Sequence, residues 1–230
     1  MNKATFWFLS LLCLIGSCEK KQDILEGLQF QEPFPENGAG DIRFDLPQRI
    51  LFKDINDAPV RRILLDTVNP PLNQIDLKRP YVENLIPNTT YYWAYELESI
   101  SGSLLSDIQA FTTISLDGNW ELFAIGKNNV YLTLDNPDVE KYLTEDYDII
   151  EIKINGKEAQ IKPFTRENTQ DVNVRFNYEA DSHIFHFIDS KNDKDYQFRL
   201  ITISCDEIEH KYTLTMKNES GDTFNYKMKK

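Results

Sequence analysis

Three stretches of strict two-residue alternation limit what this chain can fold into. Asp171–Glu179 sets Val172, Val174, Phe176 and Tyr178 against Asp171, Asn173, Arg175, Asn177 and Glu179. Lys211–Lys217 repeats the pattern with Tyr212, Leu214 and Met216, and Thr223–Lys229 with Phe224, Tyr226 and Met228. Successive side chains of a strand point to opposite faces. One apolar and one polar face therefore describe half-buried antiparallel strands. Asn155-Gly156 lies between two further runs and is a strong hairpin signal. A two-residue loop there pairs Ile152 with Ala159 and Ile150 with Ile161. Turns are expected at 180–182, 190–194 and 218–222, and one or two helical turns over Pro137–Asp146. Residues 115–230 thus predict a meander of eight or nine strands. Its inward set is Trp120, Ile150, Ile152, Ala159, Ile161, Val172, Val174, Phe176, Phe185, Phe187, Leu214, Met216, Phe224 and Tyr226.

Residues 24–114 read as a separate all-β unit of shorter strands divided by Pro, Gly and Asn. The expected strands are Leu28–Gln31, Asp41–Leu46, Val60–Asp66, Thr90–Ser99 and Ile108–Ile114. Period two puts Tyr91, Trp93, Tyr95 and Leu97 on one face of the fourth strand. The run Leu85-Ile86-Pro87-Asn88-Thr89-Thr90-Tyr91 resembles the tyrosine corner of fibronectin type III domains. That resemblance implies that the Tyr91 hydroxyl bonds back across the corner. Ser101-Gly102-Ser103 then forms the turn before the last strand, and Phe44 takes the place of the tryptophan usual on the second strand. Leu116-Asp117-Gly118-Asn119-Trp120, followed by the meander, resembles the Gly-x-Trp opening of lipocalin-like domains. It implies an antiparallel barrel with Trp120 closing the base and Arg199 as the candidate cation behind it. The fold class is therefore all-β, a fibronectin type III-like sandwich over 24–114 followed by a lipocalin-like barrel over 115–230.

The N-terminus carries an address. Met1-Asn2-Lys3 is followed by an uncharged run from Ala4 to Gly16. Thirteen residues are too few for a helix across a bilayer, which needs about 20, and the pattern is that of a secretory signal. Ile15-Gly16-Ser17-Cys18 resembles a bacterial lipobox. The resemblance implies a signal peptide over 1–17, lipidation at Cys18 and a polar tether over 18–23. Acyl chains of this kind hold a protein stably at a membrane when two or more are present. Glu19, in place of the Asp that marks inner-membrane retention, directs the reading to the outer membrane, in either leaflet. With Cys13 in the leader and Cys18 acylated, Cys205 is left as the lone thiol, expected as a small, partly buried residue.

Composition narrows the activity. The chain has 25 Lys and Arg against 37 Asp and Glu, a net charge of -12. Such a chain repels phosphate backbones, so nucleic acid is excluded as a partner. His183 and His186 stand three apart in a strand and cannot share a metal. A four-residue loop over Glu179–Ser182 would pair His183 with Tyr178, facing inwards. Asp189, Asp193 and Asp195 lack calcium-loop spacing, and Glu140, Glu145, Asp146 and Asp148 read as a solvated edge. No catalytic motif is present, so neither enzyme activity, a cofactor nor a metal is expected. The leading expectation is an envelope-binding protein whose barrel holds a small apolar ligand, contacted by Trp120, Phe176, Tyr178, His183 and Phe185. The alternative is a structural or adaptor lipoprotein with a packed barrel, contacting an envelope protein or a glycan. Tyr81 and Tyr92 form the candidate glycan platform, and Asp66-Thr67-Val68 resembles an O-glycosylation pattern of some bacterial envelopes. An open interior would favour the first reading and a filled one the second.

Overall fold

The computed structural model describes residues 31–53, 60–76, 78–99, 102–127, 130–143, 148–164, 170–206, 211–219 and 225–230. The leader, Cys18, the tether, Leu28–Phe30, His210 and Phe224 lie outside the described residues. Regular structure among the described residues is β-strand, with one 3-10 turn at Val139–Lys141.

The first ten strands are β1 (Gln31–Phe34), β2 (Ala39–Ile42), β3 (Gln48–Arg49), β4 (Leu51–Lys53), β5 (Val60–Asp66), β6 (Gln74–Ile75), β7 (Tyr81–Val82), β8 (Thr90–Ser99), β9 (Gly102–Leu105) and β10 (Gln109–Thr113). A six-stranded sheet has the order β2-β10-β8-β5-β6, with β9 also on β8. β1 pairs β4 and β3 pairs β7 in two small antiparallel sheets. The long strand β8 is the predicted one, and its four-residue face is buried, with Trp93 and Tyr95 fully so. Its other face is covered in part. Ala94 and Glu96 are buried as well, and Glu96 ion-pairs with Arg62 on β5. Two expectations fail here. Gly102 lies in β9 rather than in the turn. Asp41–Leu46 does not form a strand: β2 ends at Ile42, and Asp41 has a positive φ of 55°.

The remaining strands are β11 (Gly118–Lys127), β12 (Val130–Thr133), β13 (Ile149–Asn155), β14 (Glu158–Pro163), β15 (Val172–Glu179), β16 (Ile184–Asp189), β17 (Lys194–Asp206), β18 (Lys211–Asn218) and β19 (Asn225–Lys229). They form one sheet in the order β12-β11-β13-β14-β15-β16-β17-β18-β19. β11 has β13 and β12 along one edge, and it also pairs β19, antiparallel, from Glu121↔Lys229 to Gly126↔Asn225. The pairing order from β11 through β13 to β19 thus returns to β11.

Three local expectations are corrected. The β13–β14 loop is Gly156-Lys157, not Asn155-Gly156, because Asn155 pairs Glu158 and Ile152 pairs Ile161. Gly156 has φ 61° at the first loop position, as a type II′ turn requires, and its N–H donates to Asp117 Oδ1 at 2.8 Å. The shift is two residues, so the apolar face is unchanged. Ile150 is only half-buried. A bulge between Ile149 and Glu151 turns Ile149 inwards in its place. His183 lies in the β15–β16 turn with φ 55°, since Tyr178 pairs Phe185 and Glu179 pairs Ile184.

Buried apolar side chains of both regions form one continuous core, from Phe44, Ile50 and Trp93 to Trp120, Phe185 and Met228. Polar contacts bind the junction. Ile203 N–H donates to Asp45 Oδ2 at 3.0 Å, Arg43 Nη2 to Thr202 Oγ1 at 3.0 Å, and Asn84 Nδ2 to Asp181 Oδ1 at 2.8 Å. Asp45 thereby satisfies a backbone donor of β17, and Arg43 in turn donates Nε to Asp45 Oδ1 at 3.0 Å.

Candidate functional site

Alternation on β15, β16 and β17 brings five aromatic rings to one face. Phe176 packs against Phe187 with centroids 5.3 Å apart and against Phe185 at 5.9 Å. Tyr178 meets Phe185 at 5.3 Å, and Phe187 meets Phe198 edge-on at 6.2 Å. These separations are those of rings in direct contact. Phe185, Phe187 and Phe198 are at most 2 % exposed. Each ring thus occupies space that a ligand would need.

Trp120 is fully buried, and its Nε1–H donates to Leu116 O at 2.7 Å. The expected cation behind it is not Arg199, which donates Nε to Glu219 Oε1 at 2.7 Å and Nη1 to Ser182 O at 2.8 Å. Lys230 takes that place, with Nζ 5.6 Å from the indole centroid. Desolvation lowers the Lys230 pKa, opposed by Asp117 and Asp41. Gly118 leaves room for this lysine: a Cβ at its position would lie 2.6 Å from Lys230 Cε.

Tyr178 and His183 do meet, as the sequence suggested, but from a strand and a turn. Tyr178 Oη and His183 Nδ1 are 2.5 Å apart. Burial raises the Tyr178 pKa, with Asp45 and Tyr91 adding to the shift. This end of the sheet faces the first region. Phe44 covers it, edge-on to Tyr178 at 5.2 Å and only 1 % exposed. Phe44 therefore does not stand in for the tryptophan of a second strand. At the opposite end, where β13 begins, Val139 of the 3-10 turn and Leu143 just after it join the same core.

The other sequence candidates are dispersed. His186 bonds Asp195 through Nδ1 at 2.9 Å on the outer face. Cys205 is exposed rather than partly buried. Asp189 is buried and accepts bonds from Asn192 Nδ2 at 2.7 Å and Lys191 N–H at 3.0 Å, so it shapes a turn. Asp148 is fully buried rather than part of a solvated edge, and Glu145 and Asp146 lie outside the described residues. Tyr81 and Tyr92 belong to different sheets and make no common platform. Thr67 is exposed, in a bend after β5. Among the described residues, no group of three or more His, Cys, Asp and Glu is placed to hold a metal ion. Sequence reasoning missed Phe44 as a cover and Lys230 as the cation on Trp120. A terminal Lys following an alternating strand was the one available signal for the latter. Comparison with known proteins finds no matching family model and no matching curated protein.

Proposed function

We propose that this chain is a non-enzymatic, lipid-anchored adaptor of the bacterial outer membrane, a fibronectin type III-like sandwich docked on a lipocalin-like barrel. The sandwich reading is supported by the order β10-β8-β5-β6, accompanied by the separate pairs β1-β4 and β3-β7, and by Ile86 N–H donating to Tyr91 Oη at 2.9 Å. The barrel reading is supported by the cyclic pairing that β11 and β19 complete and by the capped Trp120. The anchor rests on the lipobox-like sequence ending at Cys18.

The observation that favours an adaptor over an apolar-ligand pocket is the mutual packing of Phe176, Tyr178, Phe185 and Phe187 beneath Phe44. An eight-stranded ring is only just wide enough for its own side chains. The test is to titrate residues 24–230 with anilinonaphthalene sulfonate while following tryptophan emission. The adaptor reading expects no saturable uptake by the folded chain. Stoichiometric uptake abolished by Phe185→Asp, with the far-ultraviolet spectrum unchanged, would restore the ligand pocket. For the anchor, metabolic labelling with palmitate is expected to mark the wild type and not Cys18→Ser.

A further inference from the structure

A cleft of about 610 Å3 opens on the outer side of the second region, along β13, β14, β15 and the β16–β17 turn. Its rows follow from the register. Lys153, Gln160 and Asn173 stand side by side on adjacent strands, and Asn155, Glu158 and Arg175 form the next row. Lys191 closes one end from the turn, beside Asp189 and Ser190, while Ile188, opposite Arg175, supplies apolar surface. Lys153, Arg175 and Lys191 are exposed. Among the described residues no hydrogen bond or ion pair engages their charged groups, although the Asn192 hydrogen bond, with help from the Lys191 charge, holds the nearby Asp189 carboxyl below its ordinary pKa. Even Glu158 and Arg175, directly opposite across β14 and β15, form no ion pair.

We propose that this cleft binds an acidic oligosaccharide, a chain of uronic acid units. The inference deepens the adaptor reading by naming the surface that does the contacting. Three cations without ion pairs, against the two carboxylates of Glu158 and Asp189, give the cleft a positive balance on a molecule of net charge -12 and mark a place where an anion is accepted. The cations are spread rather than focused. Adjacent strands lie about 4.8 Å apart and residues rise about 3.3 Å, so Lys153 and Arg175 are separated by roughly 12 Å at the backbone. That spacing suits carboxylates repeated along an extended ligand. Between the cations, Asn155, Gln160 and Asn173 offer amide groups that both donate and accept, which fits intervening hydroxyls. Glu158 accepts from hydroxyls too. Arg175 can hold a carboxylate bidentately.

The test is calorimetric titration of the full chain, in neutral detergent and low salt, with tetragalacturonic acid. One saturable site is expected, weakened by added salt. Arg175→Gln and Lys153→Gln should each lower affinity at least tenfold, with Lys217→Gln, outside the cleft, unchanged and all three folded by circular dichroism. Neutral galactotetraose should not bind. No binding by the wild type, or binding untouched by both cleft variants, overturns the proposal. Tetraglutamate binding as tightly as the uronate would also overturn it, in favour of an acidic peptide. Dye exclusion from the interior does not depend on this cleft, so either result leaves the adaptor reading to its own experiment.

Discussion

At the scale of single residues, Tyr91 shows how one hydroxyl organises a loop. Its ring stacks on Phe111 with centroids 5.5 Å apart, while the oxygen accepts from Ile86 N–H. Thr113 Oγ1 donates to Ile86 O at 2.6 Å, so both polar groups of that peptide are held from strands. Tyr91→Phe keeps the stack and strands the Ile86 donor, at an expected cost of about 1–3 kcal/mol. Tyr91→Ala also removes a buried ring and should cost about 3–5 kcal/mol. Tyr92→Ala, on the half-exposed face, should cost well under either, and denaturant titration of the three variants ranks them. The two tryptophans among the described residues differ in the same respect. Trp120 N–H has an acceptor, whereas Trp93 N–H has no hydrogen-bond partner among the described residues, and the Trp93 ring meets that of Tyr95 edge-on with centroids 5.0 Å apart. Trp93 is held by packing alone. Sequence alternation placed both indoles inside, but alternation says nothing about where an indole N–H will find an acceptor.

At the scale of elements, bulges and turns decide what alternation leaves open. The bulge in β13 exchanges Ile150 for Ile149, and the type II′ turn moves the β13–β14 register by two residues. Neither changes which face is apolar, and so neither leaves a mark in the periodicity. The start of β18 carries a contact of another kind. Burial pushes the Tyr212 hydroxyl from 10.0 up to about 12, helped by Asp41, on β2, and by Cys205, its cross-strand partner. A tyrosine whose pKa is higher folded than unfolded holds a proton that the unfolded chain releases. Its contribution is full below pH 10 and is lost as pH rises through about 12. Tyr91, Tyr95 and Tyr178 are raised by burial too, so the whole chain should lose stability with alkali. Tyr212→Phe should lessen that loss, as read from urea midpoints between pH 9 and pH 12.

At the scale of the molecule, the junction makes two β regions one cooperative body. Phe44 bridges their cores, and Asp45, Arg43 and Asn84 satisfy partners on the far side. Phe44→Ala should cost about 3–5 kcal/mol and split a single calorimetric transition into two. A single transition of unchanged width in the variant would mean that the polar contacts suffice to couple the regions. The sequence by itself determined the all-β class and the buried face of β8, β15 and β18. Both follow from periodicity and short-range turn chemistry, which act between residues close along the chain. Only the tertiary structure decided that Phe44 would cover Tyr178, that Lys230 and not Arg199 would lie on Trp120, and that Lys153, Arg175 and Lys191 would line one cleft. Those pairings join residues far apart in sequence, and they depend on how strands twist, bulge and return. Such geometry is set by the packing of the whole core and has no local pattern from which to read it.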